Sequence, residues 1–179
     1  MRICLYSGPN SGKSKTAARL YGDPALSSYR IELVREFVKE WAYLGRKITG
    51  FDQVKIFGEQ LHLEELVLKY GHGTHIITDS PLWLQLVYAK KYGVSCVDSL
   101  VDIVKDFDSK HPSIHIMLDR GDIPYSTVGR YETESEAKTL DKEIRSFLTK
   151  NDIEYQEFFT KDYKAIFEYV KYRLDKEGK

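Results

Sequence analysis

A run of eight residues near the start of the chain has the composition and spacing to bind a polyphosphate. It reads Ser7-Gly8-Pro9-Asn10-Ser11-Gly12-Lys13-Ser14 and follows an apolar segment typical of a buried strand. Such a turn, at the start of a helix, surrounds phosphate oxygens with backbone N–H groups, and its lysine reaches the β- and γ-phosphates. We therefore predict a P-loop in which Ser14 also binds Mg²⁺. The predicted nucleotide-binding residues are Gly8, Pro9, Asn10, Ser11, Gly12, Lys13, Ser14 and Lys15.

The run departs from the complete P-loop pattern at one position. The pattern has a glycine five residues before Gly12, where this chain has Ser7, and Gly8 comes one place later. The surrounding sequence still favours a P-loop, because residues 3–5 supply the buried strand and residues 15–21 can begin the helix. The alternative is a surface turn rich in Gly, Ser and Pro that happens to contain a lysine.

Apolar segments and helical patterns alternate along the rest of the chain. Five segments have the pattern of strands, and they are Arg2–Tyr6, Arg30–Val34, His75–Thr78, Ile114–Leu118 and Glu154–Phe158. A long helix is predicted from Asp52, as its N-cap, to Tyr70, and a final one from Lys161 to Leu174. A further helical face, ending at Gly45, is predicted to contain Leu33, Val34, Phe37, Val38, Trp41 and Leu44. The alternation predicts an α/β protein of one domain, residues 1–179, with the three-layer P-loop NTPase fold around a five-stranded parallel sheet.

Ligands of such a sheet bind at the carboxyl ends of its strands, so the residues after each strand are the candidates for function. Asp79 follows strand three and is predicted to bind Mg²⁺, with a helix N-cap as the alternative. Glu36 and Lys39 follow strand two and are predicted to contact the acceptor substrate. Their alternatives are a favourable helix-dipole contact for Glu36 and a solvated face for Lys39. On the long helix, Phe57 and Gln60 share a face that could bind a base, with ordinary packing as the alternative.

The segment after strand four is polar and contains Gly and Pro, which predicts a mobile lid over about residues 120–135. Arg120 and Arg130 lie in this segment. A guanidinium group matches phosphate oxygens and always carries its charge, so both arginines are predicted to hold the transferring phosphoryl group.

These residues together predict catalysis of phosphoryl transfer by alignment and charge neutralisation. Lys13 and the two lid arginines would hold the γ-phosphoryl group, while Mg²⁺ on Ser14 and Asp79 bridges the β- and γ-oxygens. The acceptor hydroxyl needs a base, and either Glu36 or Asp79 could accept its proton.

The composition of the chain bears on nucleic-acid binding, cysteine chemistry and membrane association. Lys plus Arg and Asp plus Glu each number 27, so the chain has no net charge to attract nucleic acid, and DNA binding would need a local basic patch. Cys4 and Cys96 are isolated, which favours reduced, structural thiols. The sequence contains no uninterrupted apolar run of about 18 residues. We therefore expect a soluble, unsecreted, cytoplasmic protein with no membrane partner.

The strongest features together resemble a known group of proteins. They are the P-loop, Ile31 to Lys39, Phe57 to His62, Thr78 to Leu82, and Gly129 to Thr133 followed by Ala137 and Asp141. The combination resembles the small AAA-type P-loop kinase-like proteins of bacteriophages, which are similar to nucleoside, nucleotide and nicotinamide riboside kinases. The resemblance implies an adenylate-kinase-like core with a lid, ATP and Mg²⁺ as cofactors, and phosphoryl transfer to a hydroxyl. It implies functional roles for Lys13, Ser14, Glu36, Gln60, Asp79 and Arg130.

Three functions remain open at this point. The group includes phage kinases that phosphorylate 5-hydroxymethyluracil within DNA, and this acceptor is our specific prediction, which would place the protein in the cytoplasm of the host cell. A kinase of a free nucleoside, a nucleoside monophosphate or nicotinamide riboside is the second, and it predicts a closed pocket around Phe57 and Gln60. The third is an ATP-dependent switch that regulates association with a partner, which would need Lys13 and tolerate loss of Glu36.

Overall fold

Five strands form the central sheet of this protein, and they are β1 (Arg2–Tyr6), β2 (Ile31–Val34), β3 (His75–Thr78), β4 (Ser113–Asp119) and β5 (Gln156–Phe159). They run parallel in the spatial order β2–β3–β1–β4–β5. The computed structural model describes residues 1–71, 74–126, 128 and 131–177. All five predicted strands are confirmed, with boundaries shifted by two residues or fewer. Short apolar runs bounded by turn residues therefore predicted this sheet correctly.

Helices cover both faces of the sheet and complete three layers. They are α1 (Lys13–Tyr21), a 3₁₀ helix (Pro24–Tyr29), α2 (Lys39–Tyr43), α3 (Gly50–Tyr70), α4 (Leu82–Lys91), α5 (Val97–Lys110), α6 (Glu134–Lys150) and α7 (Tyr163–Glu177). One face, with Ile3, packs against α1 and α7. The opposite face, with Cys4, packs against α3 to α6, where Trp83 and Ile144 are fully buried. Within the described part of the chain, none of these helices is long and apolar enough to cross a membrane.

The segment after β2 differs from its prediction. Leu33 and Val34 were predicted both in strand two and on the helical face that follows it, and they belong to the strand, where they pair with Ile77 and Thr78 of β3. The following helix, α2, has five residues and is preceded by an irregular segment over residues 35–38. The prediction of one continuous helical face is therefore wrong. The irregular segment brings polar residues to the carboxyl edge of the sheet.

The start of α3 also differs from its prediction. Thr49, and not Asp52, is the N-cap of the helix. Asp52 accepts hydrogen bonds from the N–H of Thr49 at 3.0 Å and from its hydroxyl at 2.8 Å, as the third residue of a capping box. This cap fixes the end of α3 that lies at the carboxyl edge of the sheet.

Candidate active site

A cavity of about 480 Å³ opens where β1, β2 and β3 end. Its lining includes most of the predicted site residues, and these are Pro9, Asn10, Ser11, Gly12, Lys13, Ser14, Lys15, Glu36, Lys39 and Asp79. Gly8, Phe57, Gln60 and Arg120 are not part of that lining. Arg130, the second predicted lid arginine, lies outside the described residues. The topology thus brings the ends of three strands to one site, as the rule for parallel sheets requires.

The phosphate loop follows β1 and holds its lysine against its own backbone. The Lys13 ammonium donates to the carbonyl oxygens of Ser7 at 2.7 Å and Gly8 at 2.9 Å. Gly12 has a φ of +94°, and a Cβ at this position would lie 2.6 Å from the Cγ2 atom of Thr160. Only glycine suits both the left-handed backbone and the close approach of Thr160. The loop therefore presents Lys13 and the start of α1 to the cavity, where the backbone N–H groups of the first helical turn and the helix dipole favour an anion.

Ser14 and Asp79 form a pair that fits a divalent cation. The Ser14 hydroxyl donates to Oδ2 of Asp79, which β3 delivers to the cavity. The other oxygen, Oδ1, is buried and has no hydrogen-bond partner among the described residues. A buried carboxylate oxygen without a partner is costly, and a serine hydroxyl beside a carboxylate is a donor set that Mg²⁺ accepts in phosphate-binding sites. The residues present therefore fit the predicted metal.

Two glutamines absent from the predicted site also line the cavity. Gln53 Nε2 donates to Gln85 Oε1 at 2.9 Å, and Gln85 Nε2 donates to the Ser80 hydroxyl at 2.5 Å. Both amides are buried, and both reach the cavity from the first turns of α3 and α4. The connected chain of amides and hydroxyl fixes the orientation of each amide group. This arrangement can present fixed hydrogen-bonding groups to the polar edge of a ligand.

Carboxylates and a tyrosine lie close together in the cavity lining. Glu36, from the segment after β2, and Glu132 both line the cavity beside Tyr88. Burial raises the pKa of Tyr88 well above its usual value, and the negative charges of Glu132 and Glu36 raise it further, so its hydroxyl stays a donor. Glu132 pairs with Lys91 at 2.6 Å.

The predicted base-binding face of α3 packs into the hydrophobic core at the middle turns of the helix. Phe57 is 3% exposed and packs in the cluster beneath α4. Gln60 is fully buried, and its Nε2 lies 3.5 Å from Glu64 and 3.4 Å from the Thr78 hydroxyl. The structure thus does not bring Phe57 and Gln60 to the cavity, because α3 carries them away from the carboxyl edge. Gln53, on the same helix face and nearer its start, reaches the cavity instead.

Arg120 also differs from its prediction. Its guanidinium is buried and pairs with Asp141 at 2.6 Å, outside the cavity lining. A side chain engaged in this way does not project from a lid towards a γ-phosphoryl group. Within the described part of the predicted lid, Ile123, Tyr131 and Glu132 line the cavity. The Tyr131 hydroxyl donates to the carbonyl of Arg46 at 2.7 Å.

Comparison with known protein sequences gives one family match. Residues 2–165 match the sequence profile of a family described as an AAA domain. That range includes every cavity residue named above. A search of the curated proteins finds no match.

Several solved structures share the fold. NadR in complex with NAD and AMP-PNP gives a TM-score of 0.68 at 14% identity, over 94% of this chain and 48% of that one. YorR from Bacillus subtilis, in complex with phosphorylated GDP, gives 0.60 at 15% identity, over 99% and 98% of the two chains. Deoxyadenosine kinase from M. mycoides, with its products bound, gives 0.55 at 20% identity, over 98% and 99%. The chain spans less than half the length of the NadR chains. At these identities the likeness shows the fold, an α/β fold with a five-stranded parallel sheet that matches P-loop kinase structures.

Proposed function

The chain belongs to the AAA domain family of P-loop proteins, and on that premise we propose that it transfers the γ-phosphate of ATP to a hydroxyl of a nucleoside. One observation carries the proposal. A single cavity is lined both by the phosphate loop with the Ser14–Asp79 pair and by fixed amides with carboxylates. A kinase needs both sets of groups in one enclosure, because a phosphoryl group must be aligned between donor and acceptor.

The phosphate-binding residues supply affinity and charge. Lys13 would hold the β- and γ-phosphates, and Ser14 with Asp79 would hold Mg²⁺. When bound, this cation neutralises charge on the phosphate oxygens during transfer. The backbone N–H groups at the start of α1 would bind the remaining phosphate oxygens.

We assign Glu36 as the base that accepts the proton of the acceptor hydroxyl. One oxygen of Asp79 already accepts from Ser14, and its other oxygen suits the metal, so Asp79 is committed to Ser14 and the metal. Glu36 lines the cavity from the segment after β2. A carboxylate there can orient the hydroxyl and accept its proton as the oxygen attacks.

The charges near Glu36 favour an acceptor substrate without a phosphate group. Glu36 and Glu132 both line the cavity, and Lys91 is already paired with Glu132. Among the described lining residues between β2 and β3, Lys39 is the only cation, and Lys161 lines the cavity from the segment after β5. A monophosphate would meet the Glu36 carboxylate there, since the charge of Glu132 is offset by Lys91, whereas a neutral nucleoside or a cationic one such as nicotinamide riboside would not be repelled. The amides of Gln53 and Gln85 suit the polar edge of its base.

A second acceptor is favoured by the surface beside the cavity mouth. Phe51 is 89% exposed and Tyr43 64%, and the exposed side chains of Arg46 and Lys47 lie between them in the sequence. Exposed aromatic rings with nearby cations are typical of surfaces that bind a nucleic-acid strand. This surface supports 5-hydroxymethyluracil in DNA as the alternative acceptor.

The test is transfer of radiolabelled γ-phosphate from ATP, with Mg²⁺, to a panel of acceptors. The panel contains deoxynucleosides, their monophosphates, nicotinamide riboside, DNA with 5-hydroxymethyluracil and unmodified DNA, and Lys13→Ala is the blank. We expect label on a free nucleoside and none on its monophosphate. Label only on the modified DNA would establish the alternative acceptor. Release of free phosphate, with no acceptor labelled, would support the ATP-dependent switch and contradict the kinase.

Replacing Gln53 by leucine should weaken acceptor binding specifically. The change keeps the side-chain size but removes the amide and leaves Gln85 with one partner fewer. We expect the KM for the acceptor to rise about tenfold while the KM for ATP stays unchanged. Gln60→Leu is the matched control, because it makes the same change on the same helix outside the cavity. Equal KM values for the acceptor in both variants would contradict the assignment.

A further inference from the structure

A buried ion pair lies against the phosphate loop without lining the cavity. Asp141, in α6, accepts at Oδ1 from the Gly8 N–H at 2.6 Å and from the Ser7 hydroxyl at 3.1 Å. Its Oδ2 accepts from Nε of Arg120 at 2.8 Å and lies 2.6 Å from Nη2. The pair thus joins the end of β4, the middle of α6 and the first residues of the loop.

The guanidinium also contacts the backbone on both sides of the pair. Its Nη1 donates to the carbonyl of Pro9, and its Nη2 to the carbonyl of Ala137, each at 3.3 Å. Gly8 also packs closely against α6, since a Cβ at this position would lie 2.6 Å from the carbonyl oxygen of Ala137. The first half of the loop therefore has no room to move towards α6.

The same two loop residues hold the lysine of the P-loop. The carbonyls of Ser7 and Gly8 accept from the Lys13 ammonium, while the Ser7 hydroxyl and the Gly8 N–H donate to Asp141. A continuous path of hydrogen bonds therefore runs from the buried pair, through one stretch of backbone, to the charge that faces the cavity.

We propose that Arg120 and Asp141 are positioning residues that fix the backbone of Ser7 and Gly8 and, through it, the ammonium of Lys13. The proposal rests on the proposed function only in taking ATP as the ligand of the loop. A buried ion pair contributes little net stability, because desolvation offsets the attraction of the charges, so its placement against the loop is the informative feature. Neither residue touches the cavity, so both act through Lys13 and not on the phosphates.

Ser7 belongs to the same hydrogen-bond network. It stands where the complete P-loop pattern has glycine, and its hydroxyl donates to the carboxylate that also holds Gly8. Glycine has no group that could make this bond. Restoring the pattern with Ser7→Gly should therefore weaken ATP binding up to about tenfold, because the hydrogen bond that is lost is one to a charged carboxylate.

Calorimetric titration with ATP and Mg²⁺ tests the proposal on the full chain, beside thermal melting of each variant. We expect Asp141→Asn and Arg120→Gln each to bind ATP about tenfold more weakly, as for loss of a hydrogen bond to a charged group. If Arg120 and Asp141 act together, the double variant should bind ATP within about twofold of the affinity of the weaker single variant. Lys138→Gln is the matched control, because it breaks the exposed ion pair of Lys138 with Glu134 on the same helix, α6.

The outcomes separate a positioning role from a structural one. Lower melting temperatures with unchanged ATP affinity, measured well below melting, would overturn the proposal. Should the variants of the buried pair fail to fold, Ser7→Gly decides, and ATP affinity equal to that of the wild type would again overturn it. A wild-type protein that binds no ATP would instead contradict the proposed function, and no acceptor is needed to learn this.

Discussion

Replacing Lys13 by alanine is expected to lower γ-phosphate transfer about a thousandfold at saturating ATP. The ammonium is the charged group that the loop holds towards the cavity, and it would face phosphate oxygens whose charge is redistributed during transfer. Loss of one fixed donor at such a position lowers kcat by roughly a hundred- to a thousandfold in other enzymes, and here a full charge is lost as well. Initial rates of label transfer measure the effect.

Two further variants make this result specific. Lys13→Arg keeps the charge but replaces a compact ammonium with a planar fork, which should not restore the rate. Lys164→Ala removes an exposed lysine that lies within 4 Å of Glu168 on α7, and it should leave the rate unchanged. A rate for Lys13→Ala within about tenfold of the wild type would contradict the P-loop assignment, because no phosphate loop works so well without its lysine.

The sheet and part of the cavity lining could be predicted from the sequence because their signals are local. A buried strand is a short apolar run, and the residue after it lies at the carboxyl edge whatever the rest of the chain does. Asp79 and Glu36 needed no other information to be placed beside the P-loop. The departure at Ser7 could be noticed but not explained, since its partner, Asp141, is 134 residues away.

The predicted site residues that lie outside the cavity lining share one property: the sequence does not show in which direction their helix or side chain runs. Gln60 and Gln53 lie on one face of α3, and the helical pattern cannot say which turn reaches the site. The topology can, because α3 connects β2 to β3, a parallel strand, and must begin at the carboxyl edge where β2 ends. Arg120 was placed at the correct edge, but the sequence could not show that its side chain pairs with Asp141.

The second large effect is expected for Asp79→Asn, which should lower transfer on the order of a thousandfold while the protein stays folded. An amide has one oxygen instead of two and no charge, so the site would lose most of its attraction for Mg²⁺. Charge stabilisation by a bound metal is worth several kcal/mol, and about 1.4 kcal/mol corresponds to a tenfold change in rate. Stability should not fall, because the variant removes a buried negative charge whose Oδ1 has no hydrogen-bond partner among the described residues.

Dependence on Mg²⁺ distinguishes the two carboxylates of the site. In Asp79→Asn, the Mg²⁺ concentration for half-maximal rate should rise at least about tenfold, since a metal ligand is lost. In Glu36→Gln, we expect a rate about a hundredfold lower with the same Mg²⁺ dependence, because this variant lacks the carboxylate that accepts the proton of the acceptor hydroxyl. Asp106→Asn, an exposed acid paired with Lys110, is the control for loss of negative charge. If Glu36→Gln shifted the Mg²⁺ dependence and Asp79→Asn did not, the two roles would be exchanged, and the base would be the carboxylate that follows β3.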